Sequence, residues 1–148
     1  MKPSEPGEAG KESVARRFTS KDGMEVLVGR TASDNDLLTF RVASPRDFWL
    51  HVAGTSGSHV IVRNPEGLPS LPRDTLRFAA GLAARHSKAK SAGVVSVHVA
   101  QVKDVSKPRG APPGQVSLKR YRSVRASVPS EGVGAGEGAS SAKKTSMR

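Results

Sequence analysis

The chain has 148 residues and carries 24 Lys+Arg against 13 Asp+Glu, a net charge of +11 with histidine neutral. That length allows one domain of ordinary size, and a folded stretch of about 115 residues buries roughly 65% of its unfolded surface, enough to stand without a metal or disulfide staple. Cysteine is absent, which excludes disulfide frameworks, thiolate zinc sites and cysteine nucleophiles together.

Residues 1–15 are rich in Glu, Gly, Pro and Ser and nearly free of apolar side chains, so they are expected to be a disordered tail. No apolar stretch follows Lys2, and the apolar run at 78–84 is too short to cross a bilayer, which predicts a soluble, cytoplasmic protein with no membrane partner. Glu25 to Gly29 and Leu37 to Val42 flank the polar segment Asp34-Asn35-Asp36 and predict a hairpin with a long turn. Phe48 to Val52 and His59 to Arg63 form a second candidate pair around the Gly- and Ser-rich turn at 54–58.

From Pro72 to about Ser87 the apolar residues Leu76, Ala79, Ala80 and Ala83 fall at helical spacing. Pro72 suits the first helical position, Asp74 complements the positive N-terminal end, and Arg85 and His86 lie where the last carbonyls favour cations. Val94 to Val102 alternates as a long strand, and Gln115 to Leu118 and Ser123 to Val128 predict two shorter ones. Residues 131–148 are again Gly-, Ser- and Ala-rich and are expected to be disordered. The predicted architecture is α+β: a mostly antiparallel sheet of about five to seven strands with one main helix at about 73–87, occupying residues 16–130.

The charge excess lies in that middle segment, which holds 19 basic and 8 acidic residues. A basic folded segment, unlike a basic tail, implies a surface shaped to hold a polyanion.

Alternation sorts Phe48, Leu50 and Val52 with Val60 and Val62 into a core face. It leaves Asp47, Trp49, His51, His59, Ile61 and Arg63 on the other face, and three readings are open for that set. Rings beside cations suit single-stranded RNA, whose bases stack on flat side chains while cations hold phosphates. Asp47, His51 and His59 could instead hold a metal ion for hydrolysis of a phosphodiester, although the spacing has no strong metal signature. The third reading makes Trp49 a packing residue and the histidines hydrogen-bonding supports of the turn. The turn itself, Gly54 to His59, is a candidate phosphate nest through its amides and hydroxyls.

Three basic clusters follow. Arg85 to Ser91 leaves the helix as a basic tip with Lys88 and Lys90, Lys107 to Gly114 is a proline-stiffened loop with Lys107 and Arg109, and Lys119 to Arg125 interleaves Tyr121 among cations. A single such run is ordinarily a solvated surface; three in one small domain suggest a groove.

Phe18-Thr19-Ser20-Lys21-Asp22-Gly23, Val28-Gly29-Arg30, Asn35-Asp36, Asp47-Phe48-Trp49-Leu50-His51 and Gly57-Ser58-His59-Val60 together resemble the NFACT-R family. The resemblance continues through Ala79-Ala80, Leu82-Ala83-Ala84, Ser87-Lys88-Ala89-Lys90 and Lys107-Pro108-Arg109-Gly110-Ala111 to Pro113-Gly114-Gln115-Val116, so it covers about Phe18 to Pro129 in the family's order. It implies a non-catalytic domain that binds structured RNA, transfer RNA or ribosomal RNA, with the large ribosomal subunit as a partner in translation quality control. It implies no metal, no cofactor and no small-molecule substrate. The RNA-contact residues expected on this basis are Arg30, Trp49, His51, Ser58, His59, Arg63, Lys88, Lys90, Lys107 and Arg109. Large members join this domain to an N-terminal NFACT domain, helix-hairpin-helix elements and a coiled coil, so this sequence looks like a free-standing version. It departs from the family at Ser56, where proline is frequent, and at Arg122-Ser123-Val124-Arg125, where the family usually has a Lys-Thr-Ile-aromatic run. The alternatives carried forward are a ribosome-associated protein adaptor and the metal-dependent hydrolase.

Overall fold

A computed structural model describes residues 14–128, so the two expected tails lie outside the described residues apart from Val14 and Ala15. Those two are buried, and Ala15 opens strand β1 (Ala15–Thr19), which the charges at Arg16 and Arg17 concealed in the sequence. The remaining elements of the main sheet are β2 (Glu25–Gly29), β3 (Phe48–Val52), β4 (Val60–Val62), β5 (Val94–Gln101) and β8 (Arg122–Ser127). They order as β1-β2-β4-β3-β5-β8, with every pairing antiparallel. Two short strands, β6 (Val105–Ser106) and β7 (Ser117–Leu118), pair separately. The expected α+β architecture, dominated by antiparallel strands with one main helix, is the one observed.

That main helix, α2 (Arg73–Arg85), covers one face of the sheet. Pro72 is its N-cap and not its first helical residue, its carbonyl accepting from Leu76 N–H at 2.9 Å. Leu76, Ala79, Ala80 and Ala83 pack on Phe48, Leu50, Val60 and Val62, which alternation assigned to the core, and on Val26 and Val28 of β2. Small alanines let the helix sit close to β-branched residues, so area is buried at little cost in side-chain entropy. The first turn is tied down by Thr75, whose hydroxyl lies 2.7 Å from both Ser20 Oγ and Asp22 Oδ2. Donating to the carboxylate and accepting from the serine satisfies both contacts.

The expected strand Leu37 to Val42 is not a strand. Ala32–Leu37 is a short helix, α1, continued by a π-helical turn at Leu38–Val42. Thr31 caps α1 by accepting from Asp34 N–H at 3.0 Å, a cap signal hidden within what looked like a polar loop. The sheet also offered no room: β2 already pairs with β1 on one edge and β4 on the other.

The consequence is a covered second face. Leu38 from the π-helical turn, Val102, and Val105 of β6 pack on Leu27, Trp49, Ile61 and Ala100, with Phe40, Val42, Val116 and Leu118 against the edge. The central strands are thus buried on both sides, as the runs Val26-Leu27-Val28 and Val60-Ile61-Val62 require. The second face stays exposed toward its two edges, at Arg17 and Thr19 of β1 and at Ser96, Ser123 and Arg125 of β5 and β8.

Candidate nucleic-acid interface

The residues that looked like a polar recognition face form an internal clasp. Trp49 is 2% exposed and His59 1%. The Trp49 indole N–H donates to His59 Nδ1 at 3.1 Å, so that nitrogen is the acceptor and Nε2 carries the proton. Nε2–H then donates to Gly114 O at 3.0 Å, while Thr39 Oγ1 lies 2.8 Å from Nδ1. Burial first, and the neighbouring His51 second, push the His59 pKa down to about 4. A neutral ring is also what its partners demand, since a proton on Nδ1 would face the indole N–H.

Asn35 and Asp36 complete the clasp from α1. Asn35 Oδ1 accepts from the His59 backbone N–H at 3.0 Å. Asp36 pairs with Lys107 Nζ at 3.1 Å and accepts from Gly114 N–H at 3.0 Å. Lys107 also donates to the carbonyls of Pro112 and Gln115, at 2.5 and 2.9 Å. One lysine therefore folds the 107–115 loop on itself and fastens it to α1. Gly29 makes room for this: a Cβ there would stand 1.9 Å from Asn35 Oδ1.

The ten expected contact residues divide accordingly. Trp49, His59 and Lys107 are engaged in the clasp, and Arg63 is held by Asp47 at 2.7 Å, a carboxylate that also accepts from the amides of Ser44 and Asn64. A stacking role for Trp49 does not fit a ring so covered. His51 is half-buried, its ring 5.7 Å from Trp49 and stacked on it, and burial lowers its pKa. The suggested metal triad is not assembled, because Asp47 is committed to Arg63 and both His59 nitrogens have partners. Ser58 donates to Gly29 O at 2.7 Å, and the Ser58 amide donates to His86 O. The 54–58 turn thus bonds to the ends of β2 and α1 and to the end of α2, where Gly57 bridges Ser87.

Arg30, Lys88, Lys90 and Arg109 face solvent. The turn's contact with Ser87 sets Lys88 and Lys90 beyond the helix end, and the charges of Lys90, Arg16 and Arg85 all act on His86. Burial, and then the charges of Arg16, Arg85 and Lys90, hold the His86 imidazole below its ordinary range, which marks this end as strongly positive. Lys119, Arg120, Arg122 and Arg125 are exposed too. Arg120, Arg122 and Arg125 make no ion pair among the described residues, unlike Arg63 and Lys107.

Charge is also divided along the chain: residues 14–74 hold eight basic and seven acidic side chains, residues 75–128 eleven basic and one acidic, Asp104. The basic-aromatic run at 119–125 is legible in the sequence; the internal pairing of Arg63 and Lys107, which sets that run apart from them, is not.

Fold and charge define a class: a small α+β domain, sheet-based and helix-backed, with its net positive charge concentrated in its second half. The chain belongs to the NFACT protein RNA binding domain family, whose model matches residues 15–120. It is 38% identical over 111 residues to the Rqc2 homolog RqcH of Bacillus subtilis, covering 75% of this chain and 19% of that protein. It is 34% identical over 110 residues to ribosome quality control complex subunit 2 of Schizosaccharomyces pombe, covering 74% and 11%. A solved structure, the C-terminal part of the fibronectin/fibrinogen-binding protein of Streptococcus suis, superposes with a TM-score of 0.72 at 29% identity, over 90% of this chain and 49% of that one. The chain thus spans about a fifth or less of these two full-length relatives. No helix among the described residues is long and apolar enough to cross a membrane.

Proposed function

We propose that this domain is a non-catalytic module that binds structured RNA, transfer RNA or ribosomal RNA, in the cytoplasm and in the setting of ribosome quality control named for its relatives. The observation that carries the reading is the eleven-to-one excess of basic side chains over residues 75–128, whose exposed members make no ion pair among the described residues while other cations are consumed inside the fold. Arg30, Lys88, Lys90, Arg109, Lys119, Arg120, Arg122 and Arg125 hold phosphates in this account. Trp49, His59, Arg63 and Lys107 support the fold that presents them. Polyanion binding of this kind is dominated by counterion release, with log affinity falling against log salt by about 0.7 per phosphate contact on single strands.

Filter binding to total transfer RNA and to isolated ribosomal subunits, across a salt series, tests the reading. Binding that weakens steeply with salt is expected, and its absence at low salt refutes an RNA-binding role. Ribosome co-sedimentation should be lost when Lys88, Lys90 and Arg109 are changed to alanine together. Co-sedimentation that survives this change and high salt points to a protein-interaction adaptor.

A further inference from the structure

The segment 119–121 carries the chain from β7 back to the main sheet. The amide of Lys119 donates to Asp104 O at 2.8 Å, and β8 begins to pair with β5 only at the Arg122–Val99 register. Past that register the end of β5 has no β8 partner, and a recess of about 290 Å³ opens there. Phe48, Leu71, Val99 and Ala100 supply its apolar lining, and Gln101, Arg120, Tyr121 and Arg122 its polar and aromatic groups.

Tyr121 is 53% exposed although it is a large ring, and its centroid lies 4.6 Å from that of His98. His98 therefore fixes the ring on the sheet face opposite Phe48, Leu71 and Val99, while about half of the residue's surface stays open. From Val105 to Val128 the sequence has no acidic residue, so nothing on this segment offsets its arginines.

We propose that the open surface of Tyr121, at the rim of this recess, stacks one unpaired nucleobase of a bound RNA, while Arg120 and Arg122 hold the flanking phosphates. The inference rests on the RNA-binding reading and specifies where single-stranded character is recognised. Two features select that occupant. An open aromatic ring beside cations gains from stacking without needing base-specific hydrogen bonds. Cations on both chain neighbours of the ring match the phosphates on either side of a splayed base.

The test compares a short unstructured oligoribonucleotide with a blunt RNA duplex, both fluorescently labelled, binding to the wild-type chain, Tyr121→Ala, Tyr121→Phe and Arg120→Ala/Arg122→Ala. Tyr121→Ala is expected to weaken single-strand binding by about 5- to 150-fold, the range of one lost base stack, with duplex binding little changed. Tyr121→Phe keeps the ring and should bind like wild type. The double arginine variant should weaken both ligands and flatten the single-strand salt slope by about 0.7 per lost contact. Emission from Trp49, the sole tryptophan and buried, reports whether each variant is folded. Wild-type affinity for the single strand in folded Tyr121→Ala overturns the proposal and leaves the RNA-binding reading standing. A wild-type chain that binds neither ligand overturns both.

Discussion

At the scale of single residues, the histidine at position 59 has the clearest thermodynamic signature. Its pKa is lowered from 6.5 to about 4, chiefly by burial. Above pH 6.5 neither folded nor unfolded chain holds the proton, and the full contribution is present. As pH falls from 6.5 toward 4 the unfolded chain takes up a proton that the folded one refuses, so stability drops, by about 3 kcal/mol in all, and this contribution levels off below. His51 and His86, also lowered, add losses of the same sign. Urea unfolding at a series of pH values should show this decline, and His59→Gln, less stable at neutral pH, should show a shallower one. A wild-type profile flat between pH 6.5 and 4.5 contradicts the neutral-imidazole clasp. Trp49→Ala empties a buried site and removes the indole hydrogen bond to His59 Nδ1, so a loss of about 3–5 kcal/mol is expected. The same denaturation measurement checks it.

Elements come next, and here the clasp explains why short, distant motifs belong together. Gly29, Asn35, Asp36, His59, Lys107 and Gly114 are one hydrogen-bonded assembly joining β2, α1, β4 and the 107–115 loop. Gly29→Ala should displace Asn35 and cost about 1–3 kcal/mol, as should Asn35→Ala by leaving the His59 amide without its partner. Their effects should be far from additive in a double-mutant cycle, because both act through the same amide. Lys107→Ala should cost about 1–2 kcal/mol, since its ion pair is partly screened, and should speed amide exchange at Gly114. Arg109→Ala, at an exposed position on the same loop, should leave exchange unchanged and weaken only RNA binding.

The periodicities of β3, β4, β5 and α2 were legible because each carries an uninterrupted pattern of apolar side chains. Two elements were not. Strand β1 alternates only weakly through Arg16 and Arg17, and is held by its register with β2. Leu37 to Val42 alternates like a strand, yet becomes helical because both edges of β2 are occupied. Alternation also assigned Trp49, His51 and His59 correctly to one face. It could not show that α1, the π-helical turn and the 105–118 segment cover most of that face. Tryptophan and histidine have both an apolar body and a polar atom, so they serve a hydrogen-bonded core layer as readily as a ligand.

For the whole molecule, division of labour between the halves of the chain follows from charge. Residues 14–74 balance their charges, and three of their carboxylates, Glu25, Asp36 and Asp47, are paired with cations. Residues 75–128 carry the excess that gives the domain its field. Long-range attraction should speed encounter with RNA and be lost at high salt, so association rates measured by stopped flow should fall steeply as salt rises, while dissociation rates change less.

Titration of isotope-labelled protein with RNA, followed through backbone amide resonances and the Trp49 indole N–H, tests the central claim most directly. The account predicts shifts concentrated at residues 85–90, at Arg109 and at 119–125, with the indole signal unmoved at saturation because its partner is His59. A saturable shift of the Trp49 indole N–H, with the 119–125 amides unaffected, would contradict it.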